Sequence, residues 1–334
     1  MPLRKVQLTG TSTYIVSLPK EWATRNGLKP GSEVEVREEK DGSVSVFLPT
    51  GKKEDETAVV WLEDLDSPES LQRLLISKYI RGYDVIRLVA KGKIPTLFRQ
   101  ATSTLASTLI GVEIVEEKEN EITIQDFFSR EGVSMDKMIR RAYTIACSMH
   151  EDAVRSLLEG DVAMAQRVCR SDDEVDRIRF LITRQLNLAL GNSALLRSFG
   201  ISATDCLDVY MVVASIEGIA DASAKIAAHV QQKKPDISKE LVQLVREMSS
   251  ETYGLHGRAM EAFNRNDFGM ANDVMTVQQS LSKKLWEKEN AAIARWKVPV
   301  WFTAYVDSMQ MMCNYAVEIA KVVMNKDTRR TGRS

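Results

Sequence analysis

Four acidic residues in the second half of the chain are spaced so that they can act together. Asp172 and Asp176 are four residues apart, and so are Glu217 and Asp221. Because four residues make about one helical turn, each pair lies on one face of a helix. Glu217 and Asp221 interrupt an apolar stripe, where acids are costly unless they are paired or bind a metal. Carboxylate oxygens suit magnesium, manganese, calcium or iron, and zinc is possible. The pattern therefore predicts a metal site.

A second interpretation of the same acids needs no metal. Ion pairs between residues three or four apart form readily on a helix surface. The available pairs are Asp173 with Arg177, Asp176 with Arg179, and Asp221 with Lys225. The acids would then belong to a solvated, salt-bridged face that contributes little stability. The spacing alone is compatible with both interpretations.

The helical part of the chain contains an internal repeat. Residues 149–153 recur 106 positions later, and residues 215–221 recur 93 positions later, in the same order. Such self-similarity is typical of a duplicated structural unit. At the repeated positions, neutral polar residues replace all four acids: Gln278, Ser282, Gln310 and Asn314. Amides and hydroxyls can hydrogen-bond one another without a metal. The concerted change indicates one shared role of the acids, which the second unit has lost.

Two histidines occupy equivalent positions in the repeat. His150 and His256 are 106 residues apart. Histidine is a common metal ligand, so either residue could extend the acidic site. The other interpretation is a paired histidine on a helix without a ligand role. We favour this second interpretation, because His256 is retained in the unit that has lost the acids.

The helices that must position these residues follow from the distribution of helix breakers. Six of the eight prolines lie before residue 135, so the chain after that point is predicted to be helical. The repeat divides it into two three-helix bundles, 135–232 and 236–326, with the boundary near 233–236. A basic tail at 327–334 is expected to be solvated, and contact with acidic lipid or nucleic acid is the alternative.

The first part of the chain contains short mixed elements. Residues 1–50 predict four short strands and one helical turn that begins at Pro19 and ends at Gly27, with a hairpin turn at 40–43. Four short strands bury little surface alone, so a homodimer or larger homo-oligomer is expected. After a polar linker at 50–56, residues 57–128 predict a small β-α-β-α-β-β module without nucleotide-loop glycines. The predicted fold class is multidomain α+β.

Composition limits the class of protein. The net charge of the 334 residues is −1, which excludes polyanion binding over the whole surface but permits a local basic patch. Residues 1–30 contain such a patch: Arg4, Lys5, Lys20, Arg25 and Lys29 against Glu21 alone. No run approaches 18 apolar residues, and no signal peptide is visible at the start. The four cysteines are dispersed, which indicates reduced thiols in a cytoplasmic protein.

The acidic segments resemble a known family. Segments 172–176 (DDEVD) and 217–221 (EGIAD) are similar to the paired acidic motifs of the PhoU family, and the duplicated three-helix layout also matches. The resemblance implies a non-enzymatic regulator of phosphate uptake with membrane transporter and signalling partners. It also implies a divalent or trivalent metal, commonly iron or zinc in this family, with magnesium or manganese as further possibilities. The ligands implied are Asp172, Asp176, Glu217 and Asp221. A second cluster is not expected.

Residues 3–49 resemble the AbrB/SpoVT swapped-hairpin domain. The similar segments are 10–22 (GTSTYIVSLPKEW) and 27–34 (GLKPGSEV). Domains of this kind interleave two chains and bind DNA, and their combination with PhoU units is similar to archaeal phosphate-uptake regulators. A dimer would double the basic patch and present Arg4, Lys5, Lys20 and Arg25 to a DNA duplex with two-fold symmetry. The alternative is a pure dimerisation module with a solvated basic face.

Three hypotheses for the function follow. The leading one is a transcriptional regulator whose N-terminal dimer binds the operator of phosphate-uptake genes, while the bundles sense a metal-linked or partner signal. The second is an adaptor that docks on a phosphate ABC transporter or a sensor kinase without binding DNA. The third, a metal-dependent phosphatase, is disfavoured because no general acid or nucleophile accompanies the acids. We therefore expect that the protein is not an enzyme.

Overall fold

The chain forms two compact units, Met1–Glu54 and Asp55–Ser334, in a computed structural model. The structure describes residues 3–38, 42–48, 56–128, 134–232, 237–296 and 298–327. Four predicted features lie wholly or partly outside these residues: the turn at 40–43, the linker at 50–56, the boundary at 233–236 and the tail at 327–334.

The N-terminal unit contains two separate antiparallel hairpins. Strand β1 (Gln7–Thr9) pairs with β2 (Thr13–Ile15), and β3 (Glu35–Glu38) pairs with β4 (Val44–Phe47). Between the hairpins in sequence lies one short helix, α1 (Lys20–Arg25). The predicted four strands and helical turn are confirmed.

Large apolar side chains of the N-terminal unit stay exposed within one chain. They include Leu8, Tyr14, Val36 and Val44. Apolar area that remains in water contributes nothing to folding stability, so a single copy of this unit has a poor hydrophobic core. Dimerisation would bury such residues, and it stays a prediction.

The middle module is a four-stranded mixed sheet with two helices. Its strands are β5 (Thr57–Trp61), β6 (Val85–Val89), β7 (Val112–Glu117) and β8 (Glu121–Asp126). Their order is β5-β6-β8-β7, with β5 parallel to β6 and the other neighbours antiparallel. Helices α2 (Pro68–Arg81) and α3 (Thr96–Thr108) pack on the apolar side of the sheet. The predicted β-α-β-α-β-β order is confirmed.

Seven helices make up the rest of the described chain. They are α4 (Met135–Glu159), α5 (Val162–Leu190), α6 (Ser193–Phe199), α7 (Ala203–Gln232), α8 (Lys239–Arg265), α9 (Phe268–Arg295) and α10 (Val300–Asp327). The repeat is visible in their caps. Asp161 accepts a hydrogen bond from the Met164 amide at 2.9 Å, and Asp267, 106 positions later, accepts one from Met270 at 2.9 Å. Both units therefore start their second helix with the same N-terminal cap.

Helix α6 was not predicted, although the sequence contains its signal. The repeat offset falls from 106 in the first two helices to 93 in the third, so the first unit has 13 extra residues between them. The extra residues form α6, which Asn192 caps at its start and Gly200 ends in a left-handed conformation. The difference in offset was a sufficient reason to expect an insertion at this place.

The two three-helix units share one continuous apolar core. Helices α7 and α10 approach closely at Gly218, where an added Cβ atom would meet ring atoms of Tyr315 at 2.2 to 2.5 Å.

Among the described residues no single helix is long and apolar enough to cross a membrane. One bent pair of helices, Ser193–Phe199 with Ala203–Gln231, has sufficient length and composition. All four cysteines are free thiols.

A buried arginine connects the middle module to the helical part. Arg184 on α5 is 0% exposed, and it donates hydrogen bonds to Asp126 Oδ2 at 2.8 Å and to the Tyr79 carbonyl at 2.6 Å. Its guanidinium also lies 3.4 Å from Asp84 Oδ1. A buried charge requires such partners, because an uncompensated one is costly. The sequence pattern around Arg184 does not mark it, because its partners lie in another module.

Candidate functional site

Helices α5 and α7 bring the four predicted acids into one half-buried patch. Asp172 and Asp176 lie on α5, and Glu217 and Asp221 lie on the facing α7. Burial, followed by the charges of Asp221 and Asp176, raises the pKa of Asp172 to about 7. Burial is the largest cause of this rise, and the like charges of the neighbouring acids add to it. The four residues that the spacing singled out therefore lie on α5 and α7, which pack against each other.

One arginine partly compensates the patch. Arg179 on α5 donates a hydrogen bond across to Glu217 on α7 at 3.1 Å. Burial raises the pKa of Glu217 and of Asp176, and the Arg179 charge acts against the rise in both. Four carboxylates facing one such guanidinium leave an excess of negative charge. This excess is the electrostatic condition that favours a bound cation.

The helical ion pairs of the alternative interpretation are not formed. Within the described part of the chain, no ion pair joins Asp173 to Arg177, Asp176 to Arg179, or Asp221 to Lys225. Arg179 instead reaches across to Glu217 on the neighbouring helix. The acids are therefore neither fully solvated nor paired along their own helices.

The donor atoms of the patch fit a hard or borderline cation, because all four are carboxylates. Their side chains are not gathered around one point, however. Across residues 3–38, 42–48, 56–128, 134–232, 237–296 and 298–327, no three His, Cys, Asp or Glu side chains are grouped as a metal ion would require. Binding would require side-chain rotation toward a common centre, and metal binding stays a prediction.

The second unit contains a neutral network at the equivalent place. Gln278 donates hydrogen bonds to Ser282 Oγ at 3.0 Å and to Asn314 Oδ1 at 3.3 Å. Gln310 donates to the Ser282 carbonyl at 2.9 Å. These are the four residues that replace the acids, and they satisfy one another without a cation. The predicted hydrogen bonding among them is therefore present.

The two histidines pair with each other and not with the acids. His150 Nδ1 and His256 Nε2 are 3.1 Å apart, and both residues are 0% exposed. Burial lowers the pKa of His150 to about 4. Burial and then the charge of His150 lower the pKa of His256 to about 3. Both rings are therefore neutral at pH 7, and the favoured interpretation of the histidines agrees with this geometry.

The contacts at the outer ends of this pair are related by the repeat. Tyr143 Oη lies 2.9 Å from His256 Nδ1, and Ser249 Oγ lies 3.1 Å from His150 Nε2. Tyr143 and Ser249 are themselves 106 positions apart. The result is a hydrogen-bonded chain of four side chains across the contact between α4 and α8. Sequence reasoning missed both hydroxyl residues, because neither the tyrosine nor the serine is a repeated type.

The predicted DNA contacts all lie on the surface of the N-terminal unit. Arg4 and Lys5 precede β1, and Lys20 and Arg25 lie on α1. All four are exposed, and none forms an ion pair with another residue of the described chain. Their charges are therefore available to an external polyanion.

Residues 139–230 match the family model of the PhoU domain. This segment of the chain is similar to the PhoU domain. The matched region spans most of the first three-helix unit and includes all four acids. The PhoU family consists of regulatory proteins, not enzymes, and points to phosphate-uptake regulation. Residues 7–53 match a second model, "Antidote-toxin recognition MazE, bacterial antitoxin", which is of the AbrB-like type expected for this segment.

Solved structures of PhoU proteins are among those similar to the chain. The phosphate transport system regulatory protein PhoU from Streptococcus pneumoniae is 16% identical, with a TM-score of 0.45, and covers 58% of this chain and 94% of its own. PhoU from Pseudomonas aeruginosa is 20% identical, with a TM-score of 0.42, and covers 59% of this chain and 96% of its own. No curated protein matches the sequence.

Proposed function

We propose that this protein is a cytoplasmic transcriptional regulator of phosphate uptake. Its N-terminal unit binds operator DNA as a homodimer, and its PhoU domain receives the signal. The observation that carries the proposal is the presence of a MazE-like domain and a PhoU domain in one chain. The first domain type supplies a basic, dimer-forming surface, and the second belongs to a family of phosphate-uptake regulators.

The DNA-binding part of the proposal rests on charge. Arg4, Lys5, Lys20 and Arg25 are exposed and free of ion pairs in the described chain, so they can contact DNA phosphates. A dimer presents these residues twice, in two-fold symmetry. Each phosphate contact releases a counterion, so binding should weaken steeply with salt.

The sensing part of the proposal rests on the acidic patch. Asp172, Asp176, Glu217 and Asp221 would hold a divalent or trivalent cation such as iron, zinc, magnesium or manganese. A bound cation would neutralise their mutual repulsion. The acids lie on both α5 and α7, so a cation bound between them would affect how tightly these two helices pack. Arg179 already makes one such cross-helix contact with Glu217.

Fluorescence anisotropy with operator fragments from phosphate-uptake genes tests the DNA-binding part. The Arg4→Ala/Lys5→Ala variant should bind about tenfold or more weakly at moderate salt, and its plot of log affinity against log salt should be flatter by about 0.9 per lost phosphate contact. Arg258→Ala, an exposed arginine on α8, is the matched control. Unchanged operator binding by the double variant would argue against this surface.

An adaptor without DNA binding is the second candidate. The PhoU domain match favours it, because PhoU proteins interact with components of phosphate transport. The N-terminal unit would then serve only to dimerise the chain. Co-purification with a phosphate transporter or a sensor kinase, together with no protection of any operator from nuclease, would support the adaptor over the regulator.

A further inference from the structure

An open groove of about 430 Å³ lies between α4 and α8, the first helices of the two repeated units. Arg155 and Glu159 line it from α4, and Arg246, Ser249 and Ser250 line it from α8. The two helices run antiparallel, because Tyr143 meets His256 whereas the later His150 meets the earlier Ser249. The volume is that of a small-molecule site.

The repeat differs between the two sides of the histidine pair. On one side of the histidine pair stands Tyr143, whose hydroxyl also approaches Gly257. On the other side the equivalent positions are Ser249 and Glu151, both of which line the groove. A serine leaves open the volume that a tyrosine ring fills. The open side is thus a departure of one unit from the other and not a feature of the duplicated fold.

Two arginines and two serines of the groove lining can bind an anion. Arg246 is exposed and has no ion-pair partner in the described chain, while Arg155 pairs only with Asp152 on its own helix. A guanidinium matches the oxygens of a phosphate group in a bidentate geometry. Ser249 and Ser250 line the same groove and add hydroxyl groups that can donate hydrogen bonds. Ser249 Oγ lies 3.1 Å from Nε2 of the buried His150, and this hydrogen bond fixes its position.

Two carboxylates restrict the kind of anion. Glu151 and Glu159 also line the groove and lie about 12 Å apart along α4, at 1.5 Å per residue. The negative charges of these two glutamates repel a ligand that carries anionic groups over its whole length. They accept hydrogen bonds from hydroxyl groups, which a polyol or a ribose supplies. The lining therefore favours a compact molecule with one phosphate group and several hydroxyls.

We propose that this groove binds a small phosphate monoester that carries hydroxyl groups, of the sugar phosphate or nucleoside monophosphate class. The phosphate lies against Arg246, Arg155 and the two serines, and the hydroxyls lie toward the glutamates. The proposal stands on the groove and requires neither DNA binding nor a metal. A ligand in the groove contacts Ser249. Ser249 is one end of the hydrogen-bonded chain that joins the two helical units.

Isothermal titration calorimetry on the full chain tests the proposal, with ribose 5-phosphate, adenosine monophosphate and inorganic phosphate as probes. At least one ester should bind saturably and more tightly than inorganic phosphate. Arg246→Gln should weaken that ester about tenfold or more, because it removes a charge-assisted contact. Glu159→Gln should strengthen it, because it removes a repelling charge. Arg258→Gln on the same helix is the control and should leave the affinity unchanged.

Ser249→Tyr is the decisive second variant. It copies Tyr143 from the other unit, so it fills the groove while keeping a hydroxyl near His150. Binding of the ester should be lost without a fall in melting temperature. The proposal is overturned if neither ester binds, if binding survives both Arg246→Gln and Ser249→Tyr, or if inorganic phosphate binds as tightly as the esters.

Discussion

Gln278 donates a hydrogen bond to Asn314 at 3.3 Å, at the place in the second helical unit where the first unit has Asp172 and Asp221. The same place in the duplicated fold thus has neutral side chains that hydrogen-bond to each other in the second unit. In the first unit it has acids that repel each other. The neutral version shows that the fold does not need carboxylates here. A role of the acids beyond packing is therefore what the predictions on metal content and stability test.

The first prediction concerns metal content. Protein purified without chelator and loaded with iron, zinc or manganese should retain metal that elemental mass spectrometry detects. The variant Asp172→Gln/Asp176→Ser/Glu217→Gln/Asp221→Asn copies the second unit and should retain none, because it lacks the carboxylate ligands. The control is Glu261→Gln/Glu287→Gln, which neutralises two exposed acids outside the patch. Equal metal in wild type and the four-residue variant would rule out this site.

The second prediction concerns stability without metal. The pKa of Asp172 in the folded protein is about 7 against an ordinary 3.8, so the folded state binds the proton more tightly than the unfolded state. The contribution of Asp172 to stability is therefore present below pH 3.8 and is lost as pH rises to about 7. In chelator at pH 8, the four-residue variant should melt at a higher temperature than wild type. A lower melting temperature would contradict the repulsion inferred here.

The sequence predicted the spacing of the acids along each helix better than it predicted their contacts between helices. Helical spacing places Asp172 and Asp176 on one face whatever the tertiary structure is, because that relation is local. The partner of Arg179 depends on which helix packs beside it, so the local rule predicted Asp176 whereas the structure has Glu217. Arg184 was missed for the same reason, since its partner Asp126 is 58 positions away, in another module.

The third prediction concerns the buried histidines. The pKa values of His150 and His256 are lowered to about 4 and about 3, so both are neutral in the folded protein and gain a proton more readily when unfolded. Their contribution to stability is present above pH 6.5 and is lost as pH falls toward those values. The free energy of unfolding should fall by about 1.4 kcal/mol per pH unit for each histidine between pH 6 and pH 4.

Urea unfolding of matched variants isolates this effect from the carboxylates. His150→Gln/His256→Gln keeps hydrogen-bonding groups but cannot titrate, so the difference in unfolding free energy between wild type and this variant should shrink as pH falls. His229→Gln, a half-buried histidine on α7, should follow wild type. A difference that is constant from pH 7 to pH 4 would show that the pair does not titrate as described.

The fourth prediction concerns the contact between α7 and α10. Gly218→Ala places a Cβ atom 2.2 to 2.5 Å from ring atoms of Tyr315, so one helix must move. We expect a loss of about 1–3 kcal/mol in the free energy of unfolding. Gly254→Ala on α8, where no atom lies within 4 Å of the added Cβ, should gain about 0.5–1 kcal/mol from helix propensity. Equal effects of the two substitutions would contradict the close approach.

The fifth prediction concerns the buried arginine that joins the module to α5. Arg184→Leu removes the partner of Asp126, whose side chain is 4% exposed, and should cost about 3–5 kcal/mol because a buried charge is left uncompensated. Arg184→Leu/Asp126→Asn removes that charge and should recover part of the loss, since breaking a buried pair costs more than removing both charges. Arg265→Ala, which breaks a surface pair with Glu261, should cost at most about 1 kcal/mol. Urea unfolding measures all three, and a double variant less stable than Arg184→Leu alone would mean that Asp126 has other compensation.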